Sequence, residues 1–335
     1  MRALRYLTYA SLLAATKLVA EAYLAINSYL SLPKYAAGIE RMPFQGRMLM
    51  MWPMQWAENS SWLQHWTNGR PGMKTPELFV IALTALLSLT ATGVLVTLMF
   101  RRIPSAQRLP YMPYATLLVI CIFNFCLIPY SFPYDLPSLA FFTLGVYLIY
   151  TRRFWGLLAL FPIATLNRET TLFLIPLLAL DTMAERDGLV WERLRDTGLL
   201  LKVASLSVIW IGLQIYVRHR FAGNVTEMGP RVLTNVKIIA NPSYWPKLFS
   251  GCAFLLPFIV LLRRRIEDVR IRAYVWIVPV WCAFMFFYGL LLEVRIYGEL
   301  SGLVAVAATL ILEGSLGKPE HPIQENARQK QRVTV

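Results

Sequence analysis

Histidine, cysteine and charge are scarce in this chain, and each scarcity narrows its function. The 335 residues include 3 histidines and 4 cysteines, and 16% are charged. His65, His219 and His321 are scattered, so no zinc site is expected. Cys121, Cys126, Cys252 and Cys282 each lie inside an apolar run and form no CxxC. They read as small core residues and not as disulfide or ligand cysteines. There is no nucleic-acid-binding motif and no clear internal repeat. The first apolar run lacks a small-residue cleavage site, which predicts a retained first helix and not a removed signal.

Apolar residues make up 57% of the chain and the mean hydropathy is +0.50. That composition predicts an all-α, polytopic membrane protein. Aromatic content is 13%, with 10 tryptophans, enough for belts at two interfaces. The net charge of +14 invites a nucleic-acid reading. Its placement argues against one, because the cations sit in short clusters between apolar runs, as the positive-inside rule expects. The bilayer is the expected partner, with no nucleic acid.

Ten apolar runs can be traced, at 6–30, 78–100, 111–128, 136–151, 154–166, 170–182, 198–217, 246–262, 273–292 and 300–313. Lys17 and Glu21, spaced i,i+4 in the first run, are expected to pair where that helix faces other helices. Residues 1–313 read as one transmembrane domain and 314–335 as a disordered cytoplasmic tail. Outer loop 1, at 31–77, carries tryptophans, is expected to be broken into short pieces at Pro43 and Pro53, and reads as one or two interfacial helices. Outer loop 4 spans 218–245.

The basic clusters Arg101/Arg102/Arg108, Arg152/Arg153, Arg186/Arg193/Arg195 and Arg263 to Arg272 then share one side with both termini. By the charge rule that side is cytoplasmic. If 154–182 were one continuous helix, Arg263, Arg264 and Arg265 would fall outside. The charge rule therefore predicts a turn at Asn167 that opens on the periplasmic or external side.

That turn, Asn167-Arg168-Glu169-Thr170, organises the chain. Each flanking run is about 13 residues, roughly 20 Å of helix, against a hydrocarbon core of about 30 Å. Charges at such a depth are costly unless they face a protein-lined, wet cavity. An internal ion pair locking two helices is the other reading of Arg168 and Glu169.

On the same side the topology collects Glu40, Arg41 and Arg47, then Tyr134 and Asp135, then Arg218, His219, Arg220, Glu227 and Arg231, then Glu293, Arg295, Tyr297 and Glu299. Carboxylates beside arginines near helix ends suit a phosphate-bearing amphiphile. Arginine holds phosphate through its planar fork. A carboxylate can act as general base toward a hydroxyl, or hold a divalent metal against a phosphate. Structural pairing is the alternative for Glu293 and Arg295, helix capping for Asp135 before Pro137, and a solvated loop edge for Arg218 and Arg220. Asn59-Ser60-Ser61 and Asn224-Val225-Thr226 match the glycosylation acceptor pattern.

Three features carry a resemblance: Pro43-Phe44-Gln45-Gly46-Arg47-Met48-Leu49 after the first helix, the Tyr134-Asp135 turn, and Asn167-Arg168-Glu169-Thr170 between two short helices. The arrangement resembles the GT-C integral membrane glycosyltransferases, over roughly residues 5–313. The resemblance implies a GT-C-like bundle of about ten spans and an inverting transfer of a hexosyl or pentosyl group. The donor would be a polyprenyl-phosphate-linked sugar and the acceptor a glycan, lipid or protein, for envelope glycan or glycolipid assembly. It implies Glu40, Asp135 and Glu169 as catalytic groups. It implies Arg47 and Arg168 as phosphate contacts and admits a divalent cation, Mg or Mn; Asn167, Arg218, Arg220, Glu293, Arg295 and Tyr297 join them as expected substrate contacts by their place on the same outer face. Where many members have an acidic pair in the first loop, this chain has Glu40 beside Arg41, which stabilises the charged, less basic form. A transporter or flippase for a lipid-linked or anionic solute, and a non-catalytic partner of a polysaccharide assembly system, are the rival classes.

Overall fold

The structure is a computed structural model that describes residues 2–68, 75–104, 109–185, 188–227 and 229–316. Arg108, Arg186, His321 and most of the C-terminal tail lie outside the described residues. Among the described residues the chain is mostly helical, and its one sheet is a two-residue hairpin pairing Ala184–Glu185 with Gly188–Leu189. Four helical stretches among the described residues are long and apolar enough to cross a membrane: Pro76–Arg101, Thr197–Arg220, Val269–Tyr288 and Val294–Ser315. Shorter apolar helices fill Met112–Cys126, Asp135–Tyr150 and Phe154–Asn167.

Local chemistry sets the helix starts. Thr75 accepts from the Leu78 amide at 3.4 Å, and Pro76 follows in the first turn, where its missing N–H costs nothing. Asp196 accepts from the Gly198 and Leu199 amides at 3.3 and 3.1 Å and starts Thr197–Arg220. Asp268 accepts from the Ile271 amide at 2.8 Å and starts Val269–Tyr274.

The Asp135–Tyr150 helix is the hub. It packs on Pro76–Arg101, Phe154–Asn167, Leu174–Met183 and the 294–300 turn. Close approach rests on small residues. A Cβ on Gly145 would lie 2.5 Å from Leu174, and one on Gly302 would lie 2.4 Å from the Thr143 hydroxyl.

Cross-links define two ends of the bundle. At one end Arg101 donates to the Tyr9 hydroxyl, Arg102 lies 5.6 Å over the Tyr147 ring, Arg270 donates to the Tyr150 carbonyl at 2.6 Å, and the Leu109 amide donates to Glu313 at 2.8 Å. At the other end the Tyr29 amide donates to the Ser131 carbonyl at 3.1 Å, and Asn224 donates to the Glu40 carbonyl at 2.6 Å. The chain breaks at Arg168, whose backbone is extended (φ −161°, ψ 134°), and continues as a 3-10 turn, Glu169–Phe173, into Leu174–Met183. Asn167 meets Tyr134 at one end and Asp181 meets Arg270 at the other, so the two short helices run back to back as a hairpin.

Three readings from sequence need correction. The run 246–262 is not one helix. Trp245–Phe249 and Leu255–Leu261 are separated by a bend in which Cys252, Ala253 and Phe254 all take left-handed φ of 52–63°. Left-handed backbone costs roughly 1–2 kcal/mol per non-glycine residue. Packing holds it there: the Asn124 side-chain Oδ1 accepts from the Cys252 backbone amide at 2.8 Å, and its Nδ2 donates to the Ser301 hydroxyl at 3.1 Å. Lys17 and Glu21 do pair, at 2.5 Å, but both side chains are exposed and not packed between helices. The first outer loop holds several short helices, and the Met51–Asn59 helix buries Met51, Met54 and Ala57 while Trp52 and Trp56 stay exposed.

Candidate functional site

The site is built where the Asp135–Tyr150 helix begins. Asp135 is the first helical residue, yet its side chain caps nothing, which overturns the capping reading. It is fully buried between two guanidiniums: Arg168 and Arg295 each bring an Nη1 to 3.4 Å from Asp135 Oδ1. The extended backbone at Arg168 aims its side chain inward, and 3% of the residue is exposed. Its Nε lies 3.1 Å from Glu299 Oε1, close enough for an ion pair but out of line for a hydrogen bond. The Thr170 hydroxyl donates to the same Glu299 oxygen at 2.6 Å.

Around this inner set stands a rim. Arg47, carried by the first loop, donates to Glu169 through Nε at 3.0 Å and Nη2 at 2.6 Å. Its guanidinium lies 4.7 Å over the Tyr134 ring. Arg295 donates to Glu293 at 2.8 Å and lies 3.7 Å over the Phe132 ring. The rim carboxylates are partly open to solvent, with side-chain exposure of 36% for Glu169 and 41% for Glu293. Burial pushes the Glu169 carboxyl up, but the Arg47 charge, its two hydrogen bonds and Arg168 outweigh that and hold it at about 2.

Second-layer groups fix the geometry. Asn167 donates to the Tyr134 carbonyl at 3.1 Å and to Ser138 at 2.8 Å, so its amide ties the turn to the hub helix. The Trp210 indole donates to the Glu169 carbonyl at 2.9 Å. Below, Trp281 is buried against Phe173 (ring centroids 4.3 Å) and Phe142 (5.5 Å), an aromatic floor. Four buried polar atoms of this site have no hydrogen-bond partner: Tyr134 Oη, Asp135 Oδ2, Asn167 Oδ1 and Arg168 Nε. Such atoms are rare in folded proteins and signal a water or ligand position.

The other sequence candidates fall elsewhere. The Glu40 carboxylate accepts from the Ser31 amide at 3.1 Å and the Arg41 amide at 3.0 Å, with Arg41 Nε at 3.6 Å, so its partners lie within its own loop. Arg218 and Arg220 end their helix exposed, and Arg220 meets Tyr216 and the Phe221 ring. Tyr297 turns away toward Gly251, whose Cβ position lies 2.8 Å from the ring. Asn224, in an acceptor pattern, spends its amide on the Gly38 and Glu40 carbonyls at 3.1 and 2.6 Å. That pins the end of Thr197–Arg220 to the first loop.

A divalent cation does not fit the donor set. Every carboxylate of the network faces a guanidinium, and no group of three His, Cys, Asp or Glu among the described residues could hold a metal ion. Sequence reasoning treated Glu299 only as a loop charge and missed Phe132, Ser138 and Trp210. Trp210 lies mid-run among apolar residues and carries no signal. Ser138 is legible only as the residue one turn after Tyr134. Compared with protein-family models, with characterised proteins and with solved structures, the chain matches none.

Proposed function

We propose that this chain is an inner-membrane glycosyltransferase that moves a sugar from a polyprenyl-phosphate donor to an acceptor hydroxyl on the periplasmic side. In this reading the chain crosses the bilayer ten times, with both termini and the basic clusters cytoplasmic. The alternation of helix ends between the two sets of cross-links supports that path.

The observation that carries the proposal is the two-layer charge network. Asp135, Arg168 and Glu299 form a buried inner set. Arg47 and Arg295 stand at the rim, each facing a carboxylate that is already partly solvated. A lipid phosphate can replace Glu169 on Arg47, because a bidentate guanidinium serves phosphate and carboxylate alike. Glu169, released from Arg47, regains ordinary carboxylate basicity and becomes a general base. It removes the acceptor proton, the acceptor oxygen bonds to the anomeric carbon, and the bond from that carbon to the phosphate oxygen breaks. The departing phosphate keeps the electron pair, and Arg47 and Arg295 stabilise its charge. The configuration inverts. Glu40 plays no part in this scheme, since backbone amides hold its carboxylate.

One observation favours binding without chemistry. Three guanidiniums face four carboxylates, so the resting site holds no surplus positive charge. A transporter or flippase would use the same exchange at Arg47 and stop there.

The test uses purified protein in lipid with polyprenyl-phosphate sugars, following release of polyprenyl phosphate. Turnover lost in Glu169→Gln while donor binding persists supports the transferase. Donor binding that needs Arg47, with no turnover for any acceptor, moves the reading to transport. Full turnover in both Glu169→Gln and Arg47→Ala sinks the site assignment.

A further inference from the structure

At the opposite end of the bundle an open groove of about 1300 Å³ lies between the Leu174–Met183 and Ile277–Tyr288 helices. Pro176, Leu180 and Met183 form one wall, and Ile277, Val280 and Ala283 the other. Each wall follows its helix for about seven residues, roughly 10 Å. The mouth is cationic. Arg263, Arg264 and Arg272 line it, and Glu185, the one acidic lining residue among those described, is already paired with Arg193. Arg263 lies 4.4 Å over the Trp276 ring and donates to the Val260 carbonyl at 2.9 Å, which holds cation and indole together at the rim. Arg264 is exposed and has no carboxylate partner among the described residues.

We propose that this groove is a binding site for an anionic glycerophospholipid of the leaflet at the basic end, with the lipid phosphate on Arg263 and Arg264 and an acyl chain along the apolar walls. Three features select that occupant. The walls belong to apolar, membrane-type helices, so a hydrocarbon chain is the natural filling. Arg263 and Arg264 at the mouth face no carboxylate among the described residues, and basic pockets between membrane helices take anionic headgroups. Indoles at the rim sit at headgroup level in membrane proteins. The volume exceeds the roughly 300–1,000 Å³ of drug-sized ligand pockets. The site is independent of sugar transfer, since it shares no residue with the Arg47–Glu169 network.

The test is lipid retention by native mass spectrometry on protein carried through mixed phosphatidylglycerol and phosphatidylcholine. Wild type is expected to retain phosphatidylglycerol selectively. The Arg263→Gln/Arg264→Gln pair is expected to hold it about 30-fold more weakly, the combined effect of two basic residues at an anionic leaflet. Ala283→Trp, which fills the groove and keeps the charges, is expected to lose it too. Glycerol 3-phosphate, a headgroup without chains, is expected not to compete. Equal retention of phosphatidylcholine by wild type overturns the proposal without any variant. So does unchanged retention in a folded charge or groove variant, and displacement by glycerol 3-phosphate would reassign the mouth to a soluble phosphate.

Discussion

Arg47 and Glu169, 122 residues apart in sequence, are joined by two parallel hydrogen bonds of 3.0 and 2.6 Å. This one pair fastens the first loop to the central turn. Arg47→Lys keeps the charge and loses the fork. Because Glu169 is about a third exposed, solvent screens the pair, and a loss of about 1 kcal/mol of stability is expected. A double-mutant cycle of Arg47→Ala and Glu169→Gln, read by thermal unfolding in nanodiscs, measures the coupling. Strict additivity would show that the contact does not hold the loop.

Asp135 is the inner hinge of the network. Asp135→Asn leaves Arg168 and Arg295 beside each other with their shared counter-charge removed. Removing one partner from a buried ion pair costs about 3–5 kcal/mol. The same nanodisc melt should show a loss several times that of Arg47→Lys. An unchanged melting temperature would mean that water already compensates the two guanidiniums.

Gly93 meets Tyr114, and Tyr114 is locked by a 2.8 Å hydrogen bond to Thr16. A Cβ at position 93 would lie 2.2 Å from the ring, which has nowhere to go. Gly93→Ala is expected to cost about 1–3 kcal/mol by overpacking. Gly212, inside the Thr197–Arg220 helix with nothing within 4 Å of its Cβ position, is the control: Gly212→Ala should not lower the melting temperature and should raise stability by about 0.5–1 kcal/mol through helix propensity.

Stability should depend on pH through two separate windows. Partial burial, and then the Glu77 carboxyl beside it, push Glu58 from 4.5 up to about 7. A folded value above the unfolded one means the contribution is present below pH 4.5 and is lost as pH rises through about 7. Glu169 is held at about 2, so its contribution is present above pH 4.5 and is lost as pH falls toward 2. Melting temperature should therefore fall between about pH 4.5 and 7 in wild type and stay flatter in Glu58→Gln. A parallel fall in both proteins would rule out Glu58 as the titrating group.

Composition and the spacing of apolar runs by themselves determined that the chain is mostly helical, with helices long and apolar enough to cross a membrane, because burying backbone polar groups in lipid leaves helices as the simplest solution. The charge clusters determined more. They required a turn at Asn167, and the structure breaks the helix there. They also collected a wide set of groups on one side, from Glu40 and Arg47 through Asp135, Arg168 and Glu169 to Arg218, Arg220, Glu293, Arg295 and Glu299, and the structure brings together only Arg47, Asp135, Arg168, Glu169, Glu293, Arg295 and Glu299. Only tertiary structure decided which charges meet. Glu40 and Arg47 share a loop, yet one is bound by its own backbone amides and the other reaches Glu169. Glu293 and Glu299 share another, yet one is at the rim and the other behind Arg168. The bend at Cys252 was equally hidden, since Asn124, 128 residues away, holds it. A hydropathy pattern records how apolar each residue is, and it carries no distance between residues far apart in the chain. Ion pairs and left-handed turns depend on that distance, so the packed helices alone could settle them.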